Sequence, residues 1–271
     1  MEGDALVKPA PFDYIAPRTV EEALELLGDE ARPLAGGQSL VPLLNFRLAR
    51  PELLVDINGV SELDFLFADD GVLRIGALTR QATLERSELV AGRWSLLARA
   101  VRLAGHPQIR SRGTVGGSVA HADPAAELPV ALTALDARFH AHSSRGSRTL
   151  AASELFLGPL MTALEPDELL ADIEVPAPPE GVRTAFVEHA RTHGDFAICG
   201  AAVAFVPGEQ ASIALLGTGP APVRSADAES ALVAGADARD VASLATAGID
   251  DDYRRALAAE LVRRAIEEAA P

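Results

Sequence analysis

The chain has almost no cysteine and almost no lysine. Cys199 is the single thiol among 271 residues. One thiol builds no disulfide framework and no Cys-x-x-Cys pair, and this chain alone cannot hold an iron–sulfur cluster on four thiolates. Lys8 is the single lysine. A Walker A loop needs a Gly-Lys-Ser or Gly-Lys-Thr step, so P-loop phosphoryl chemistry is excluded. Long apolar runs are missing as well. None reaches the ~20 residues that span a bilayer, and Met1 to Tyr14 has no apolar stretch of the kind a leader carries. A cytoplasmic protein without membrane insertion is expected.

Basic charge is also short. There are 24 Lys and Arg against 39 Asp and Glu, a net charge of −15. Nucleic acid and anionic lipid both select clustered cations, so neither is an expected partner. An anionic cofactor stays open, because glycine loops bind phosphate through backbone N–H groups. No Gly-x-Ser-x-Gly elbow occurs, and no His, Asp and Glu set has metal-site spacing, so no metal site is expected. With 48% hydrophobic residues the chain is globular, with enough length for two or three packed units.

Two glycine pairs stand out. One lies in Ala35-Gly36-Gly37-Gln38-Ser39, the other in Thr114-Val115-Gly116-Gly117-Ser118. A turn that needs positive φ would use such a pair by itself. Two of them, each with hydroxyl neighbours, favour a phosphate cradle, and together they could close on the two phosphates of one dinucleotide. Ile213 to Pro222 begins like a Rossmann fingerprint, but Pro222 takes the third glycine position and no helix is expected there. It reads as a strand-ending turn.

The pattern of elements is mixed. Thr19 and Glu22 form a capping box for a helix that Gly28 stops. Short strands are predicted at 32–35 and 53–57, the second parallel and buried, so residues 1–58 read as a small α/β unit. A strand follows at 72–78. Thr79 is expected to cap a helix through 88, and a second helix covers 94–103. Residues 106–112 read as polar and irregular, with His106-Pro107 a turn. Arg110 and Arg112 are candidates either for phosphate contact or for surface charge. Asp123 is the expected N-cap of a helix running from Pro124 to Ala134, and its carboxylate could also accept from a sugar hydroxyl. Strands are predicted at 137–142 and 169–175. The proline-rich stretch Val175 to Gly181 marks a boundary. Beyond it come three antiparallel strands near 186–190, 197–205 and 211–216, then three helical segments, the last over 253–269. His189 and His193 read as structural or solvent-facing, and Cys199 as a small packed hydrophobe.

These motifs resemble one family. Ala35 to Leu40 followed by Pro42, Gln108 to Ser118, and Ala122-Asp123-Pro124-Ala125-Ala126-Glu127-Leu128-Pro129 look like the FAD-binding medium subunit of molybdenum hydroxylases. That is the carbon monoxide dehydrogenase, xanthine dehydrogenase and aldehyde oxidase group. Gly194-Asp195-Phe196-Ala197 and Pro222-Val223-Arg224 match its C-terminal domain, so the resemblance covers essentially the whole chain.

The resemblance implies an α+β fold. A vanillyl-alcohol-oxidase or PCMH-type FAD-binding domain of two subdomains, 1–58 and 59–176, would precede a C-terminal α+β domain, 177–271, with a three-stranded antiparallel sheet and helices. It implies FAD held at the pyrophosphate by Ala35, Gly36, Gly37, Gln38 and Ser39 and by Thr114, Val115, Gly116, Gly117 and Ser118, through backbone N–H groups and the Ser39 and Thr114 hydroxyls. Asp123 would take a hydroxyl of the flavin's sugar chain, and Leu170 would pack near the isoalloxazine. No residue of this chain would be catalytic. The implied partners are a large molybdopterin-binding subunit and a small [2Fe–2S] subunit, in a dimer of heterotrimers. Electrons would pass from the small subunit's clusters to FAD and on to NAD, a quinone or another acceptor. The alternatives are a stand-alone FAD-dependent oxidoreductase on the same fold and a scaffold that has lost flavin. Related chains often carry a basic residue just after the position of Phe186; here Val187, Glu188 and His189 follow.

Overall fold

Three sheets and one short hairpin follow one another along the chain in the computed structural model, which describes residues 8–192 and 194–270. The first sheet is parallel, β1 (Asp13–Ile15), β2 (Ala31–Leu34) and β3 (Leu53–Asp56), with β3 in the middle. Parallel strands need crossovers, and α1 (Val20–Leu26) and α2 (Leu40–Asn45) lie in them. The Thr19 hydroxyl accepts from the Glu22 N–H at 3.2 Å, as predicted. Glu22 completes the box one residue early, accepting from the Arg18 N–H at 2.7 Å.

The second sheet is antiparallel. It contains β4 (Leu66–Asp69), β5 (Val72–Gly76), β6 (Arg138–Ser143) and β7 (Gly146–Ala151), with the hairpin β8 (Phe156–Gly158) and β9 (Met161–Thr162) intervening before β10 (Leu169–Pro176). The order is β4-β5-β10-β6-β7. Its helices are α3 (Gln81–Arg86), α4 (Glu88–Arg93), α5 (Ser95–Leu103), α6 (Pro107–Arg112), α7 (Val115–His121), α8 (Glu127–Ala134) and α9 (Ala152–Leu155). They bury one face of the sheet around Trp94, Phe139 and Ile173. The Trp94 indole N–H is satisfied at Pro176 O, 3.0 Å away, as a buried indole requires.

Several local expectations fail here for identifiable reasons. Thr79 caps no helix: its hydroxyl donates to Phe65 O at 2.7 Å, and α3 begins two residues later. The segment 106–112 is not irregular; Pro107 opens α6 from its first turn. Asp123 is not the cap of α8, which begins at Glu127 with Ala126 at the cap position. The Asp123 carboxylate accepts instead from the Ala125 N–H at 2.8 Å, forming a local turn.

The third sheet is β11 (Arg183–His189), β12 (Cys199–Val206), β13 (Gln210–Leu216) and β14 (Val223–Arg224), antiparallel and in that order. It has four strands rather than the expected three, the fourth only two residues long. Every residue of β12 is buried because both faces are covered. Ala185, Cys199, Ala201, Val203 and Ile213 pack on the helices α10 (Ala226–Val233), α11 (Ala238–Thr246) and α12 (Asp252–Ala269). Phe186, Ala202, Ala214 and Leu216 join the core of the second sheet. Arg224 ties the two units together, bonding Glu229 through Nε at 2.8 Å and Asp136 through Nη1 at 2.5 Å.

The cores cross the expected boundaries. A register shift between Leu170 and Asp172 lets β10 serve two of them. Leu169 and Ala171 pack with Val20, Ala23 and Val55 of the N-terminal unit. Leu170, Ile173 and Val175 face the central core.

Candidate functional site

The two glycine pairs lie 80 residues apart in sequence, Gly36 from Gly116 and Gly37 from Gly117, and meet at the seam between the first two sheets. A Cβ built on Gly36 would fall against Arg112 O and within 2.8 Å of Gly113 Cα. Ala35 Cβ lies 4.0 Å from the position of a Cβ on Gly117. A side chain at Gly36 would push the segments apart, so the pair is read directly as a close approach of backbones.

A polar network holds them together. Asn58 Nδ2 donates to Ala35 O at 2.8 Å and to Leu34 O at 3.3 Å. Arg80 donates to Asn58 Oδ1 at 2.7 Å and, from its other terminal nitrogen, to Arg112 O. Asp56 accepts from the Asn58 N–H at 3.0 Å and from the Tyr14 hydroxyl. Burial pushes the Asp56 carboxyl up, but Tyr14, Asn58 and Arg80 outweigh it and hold it below the ordinary range. None of these four side chains carries a motif. They converge only because β3 runs beside β1 and β2, a long-range pairing that spacing along the chain does not express.

The two segments offer a ligand different things. In the first, Gly37 has φ +71°, and Gln38 Nε2 closes the turn on Gly36 O at 2.9 Å. Among the described residues no protein group accepts from the N–H of Gly36, Gly37, Gln38 or Ser39. Ser39 occupies the cap position of α2, yet its hydroxyl makes no capping bond. That leaves four successive backbone donors without a protein acceptor among the described residues, groups of the kind that an anion takes.

The second segment is not a loop, contrary to expectation. Thr114 caps α7, and both glycines lie in its first turn. Their N–H groups are engaged inside the protein: Val115 on Thr79 O at 2.9 Å, Gly116 on Ala77 O at 3.0 Å, Gly117 on the Thr114 hydroxyl oxygen at 3.0 Å, Ser118 on Thr114 O at 3.1 Å. The expectation of free amides at 115–118 is therefore corrected. What this segment can offer is the half-buried Ser118 and the hydroxyl hydrogen of Thr114, a residue only 2% exposed. Gly116 exists for packing: a Cβ there would stand 2.5 Å from Ala77 Cβ and 2.7 Å from Ala77 Cα.

Other predicted residues sort clearly. Arg110 is buried and paired with Glu85 at 2.8 and 3.0 Å, so it is a structural cation and not a phosphate ligand. Asp123 lies beyond the far end of α7, one helix of about 10 Å from the glycines, and is half-buried. The Leu170 side chain is 4% exposed and committed to the core, so only its backbone can face a ligand. Gly217 has φ +70° in a turn with no helix after it, as read from Pro222. Cys199 is fully buried. His189 is exposed, and His193 lies outside the described residues.

Strand pairing also gathers residues that spacing kept apart. His140, Asp172 and Glu174 place one ligand atom each within 4.8 Å of one another. Arg74 already sits 2.5 Å from Glu174, and Thr149 lies 3.0 Å from His140 Nδ1. With a guanidinium supplying the positive charge, this is a cross-strand row of charges.

Residues 10–178 match the family described as the FAD binding domain in molybdopterin dehydrogenase. The chain is 46% identical over 252 residues to the 6-hydroxypseudooxynicotine dehydrogenase complex subunit alpha of Paenarthrobacter nicotinovorans, covering 90% of this chain and 85% of that one. It is 38% identical to the carbon monoxide dehydrogenase medium chain of Hydrogenophaga pseudoflava, covering 96% and 98%. A solved structure of carbon monoxide dehydrogenase from that organism superposes with a TM-score of 0.92 at 38% identity, over 96% of this chain and 98% of that one.

Proposed function

The chain belongs to the FAD-binding medium subunits of molybdopterin dehydrogenases, and we propose that it is the electron-transfer subunit of such an enzyme. A large molybdopterin-binding subunit and a small [2Fe–2S] subunit are its partners, in a dimer of heterotrimers. The small subunit feeds electrons to the FAD held here, and an external acceptor, NAD or a quinone, removes them. FAD, when bound, supplies the redox chemistry; the protein supplies position and electrostatics.

The observation that carries this reading is the free N–H run from Gly36 to Ser39, braced against the cap of α7 by Asn58 and Arg80. These residues fit a pyrophosphate. The first segment grips it with backbone donors, Ser39 adds a hydroxyl, and Thr114 and Ser118 add hydroxyls from the other side. Asp123, beyond α7, takes a sugar hydroxyl. The Leu170 backbone lies toward the ring. Supporting the finer fold assignment, PCMH-type with units 1–58, 59–176 and 177–271, is the order of a small parallel sheet, an antiparallel sheet and a glycine-lined seam between them.

The test is reconstitution. The chain expressed with both partners should carry FAD. That flavin should be reduced by the holoenzyme's substrate only when the small subunit is present. Turnover of a small substrate by the isolated chain would instead establish the stand-alone oxidoreductase.

A further inference from the structure

The row of charges on the second sheet is only partly satisfied. Phe139 and Ala141 of β6 and Ile173 and Val175 of β10 face the central core. Alternation therefore puts His140, Asp172 and Glu174 together on the opposite face. Asp172 stands directly across from His140 in the register, and Glu174 follows two residues later on the same strand. On the other side of β10 the partner of Asp172 is Gly76, which brings no side chain to compete for the carboxylate. Spacing along the chain does not show this set; only strand pairing does.

Two neighbours engage part of it. The Arg74 guanidinium takes Glu174 Oε1 at 2.5 Å, and the Thr149 hydroxyl lies 3.0 Å from His140 Nδ1. The remaining atoms have no such partners. His140 Nε2 and Asp172 Oδ1 are both shut off from solvent, and neither makes a hydrogen bond among the described residues. A buried polar atom in that state costs free energy and calls for a partner. Glu174 Oε2 does not supply it, because it lies 3.5 Å from His140 Nε2, beyond hydrogen-bond length. That separation suits a different bond. Two ligand atoms about 2.1 Å from one tetrahedral ion stand about 3.4 Å apart. One ligand atom from each of the three residues lies within 4.8 Å of the other two.

We propose that His140 Nε2, the Asp172 carboxylate and Glu174 Oε2 are the protein ligands of a first-row divalent cation, zinc foremost, with water in the fourth position. The site lies apart from the glycine segments and does not rest on the function proposed above.

Charge and chemistry both fit. Asp172 and Glu174 are two anions, and Arg74 is the one cation bonded to them. Arg138, across from Glu174 on β6, is exposed. An imidazole nitrogen with carboxylate oxygens selects zinc and its first-row neighbours over magnesium or calcium, which take oxygen alone. Thr149, accepting from Nδ1–H, would fix the tautomer that leaves Nε2 to the metal, as the second partner of a ligating histidine does. The ion would bind one step past the register shift between Leu170 and Asp172. A clasp there holds β10 to β6 where β10 divides its side chains between two cores.

Zinc titration of the full chain, after dialysis against a chelator, tests this. Calorimetry should find one ion bound at this site. At a zinc concentration about a hundred times Kd the unfolding temperature should rise by about 5 °C. His140→Ala and Asp172→Asn should each abolish both effects. Thr149→Val should keep the ion but weaken it about tenfold. Cobalt(II) in place of zinc should give the visible absorption of a four-coordinate site, lost in the first two variants. If no zinc binds, the site is overturned. It is overturned equally if binding and stabilisation are as strong in either of those variants as in the wild type, since the ion then sits on other histidines. An unchanged affinity in Thr149→Val overturns the part given to Thr149. If His140→Ala does not fold, Asp172→Asn, which keeps the shape of its side chain, carries the same measurements. None of these readouts needs FAD, so a chain that binds no flavin defeats the proposed function and leaves this test intact.

Discussion

The two glycine segments look alike in sequence and do opposite work. The segment of Gly36 and Gly37, with a positive φ at Gly37, leaves four N–H groups without a protein acceptor among the described residues. Gly116 and Gly117 turn theirs inward. Their amides meet Ala77 and Thr114, and Gly116 is small so that α7 can lie on Ala77. A glycine pair thus reports backbone proximity, but what approaches can be a ligand or the protein itself. The first segment is the binding surface in the function proposed above, and the second is the wall that it leans on.

The largest predicted effect tests the wall. Gly116→Ala places a methyl 2.5 Å from Ala77 Cβ and 2.7 Å from its backbone, so the FAD-free chain should lose about 3 kcal/mol of stability in urea unfolding. An unchanged midpoint would show that α7 is free to move and that the contrast is false. Gly37→Ala comes next. Its φ of +71° costs a non-glycine residue about 1–2 kcal/mol, and relaxation would swing the free amides away. FAD affinity should fall with it, read by flavin fluorescence. Arg80→Met then tests the brace. It removes the bonds to Asn58 and to Arg112 O, and FAD should bind roughly tenfold more weakly, about 1.4 kcal/mol. A change confined to stability would make Arg80 a strut without a share in binding.

The comparison also shows what sequence could and could not express. The glycine pairs, the capping box at Thr19 and the buried parallel strand at Leu53 were legible because each is a local signal. Strand β4 was missed although its turn is marked: Asp70 and Gly71 both have positive φ, the signature of a two-residue hairpin. Strand β14 has two residues and no pattern to read. Asn58 and Arg80 were invisible as site residues, because only the pairing of β2 with β3 and the packing of α6 bring them to the glycines.

The smallest effect separates the two segments most cleanly, because it compares two hydroxyls at two helix caps. The Thr114 oxygen accepts from Gly117 N–H at 3.0 Å, so its oxygen is already employed by the fold. Ser39 stands at the equivalent position of α2 and caps nothing. Thr114→Ala should therefore cost about 1 kcal/mol of stability in the FAD-free chain, the ordinary value of an N-cap. Ser39→Ala should leave that stability within about 0.5 kcal/mol, as for a surface change that breaks no bond. On FAD the order reverses: Ser39→Ala should weaken binding by about 1 kcal/mol, one hydrogen bond to a charged ligand in partial solvent. If both substitutions move stability and neither moves affinity, the first segment is a turn like any other, and the phosphate must be held elsewhere.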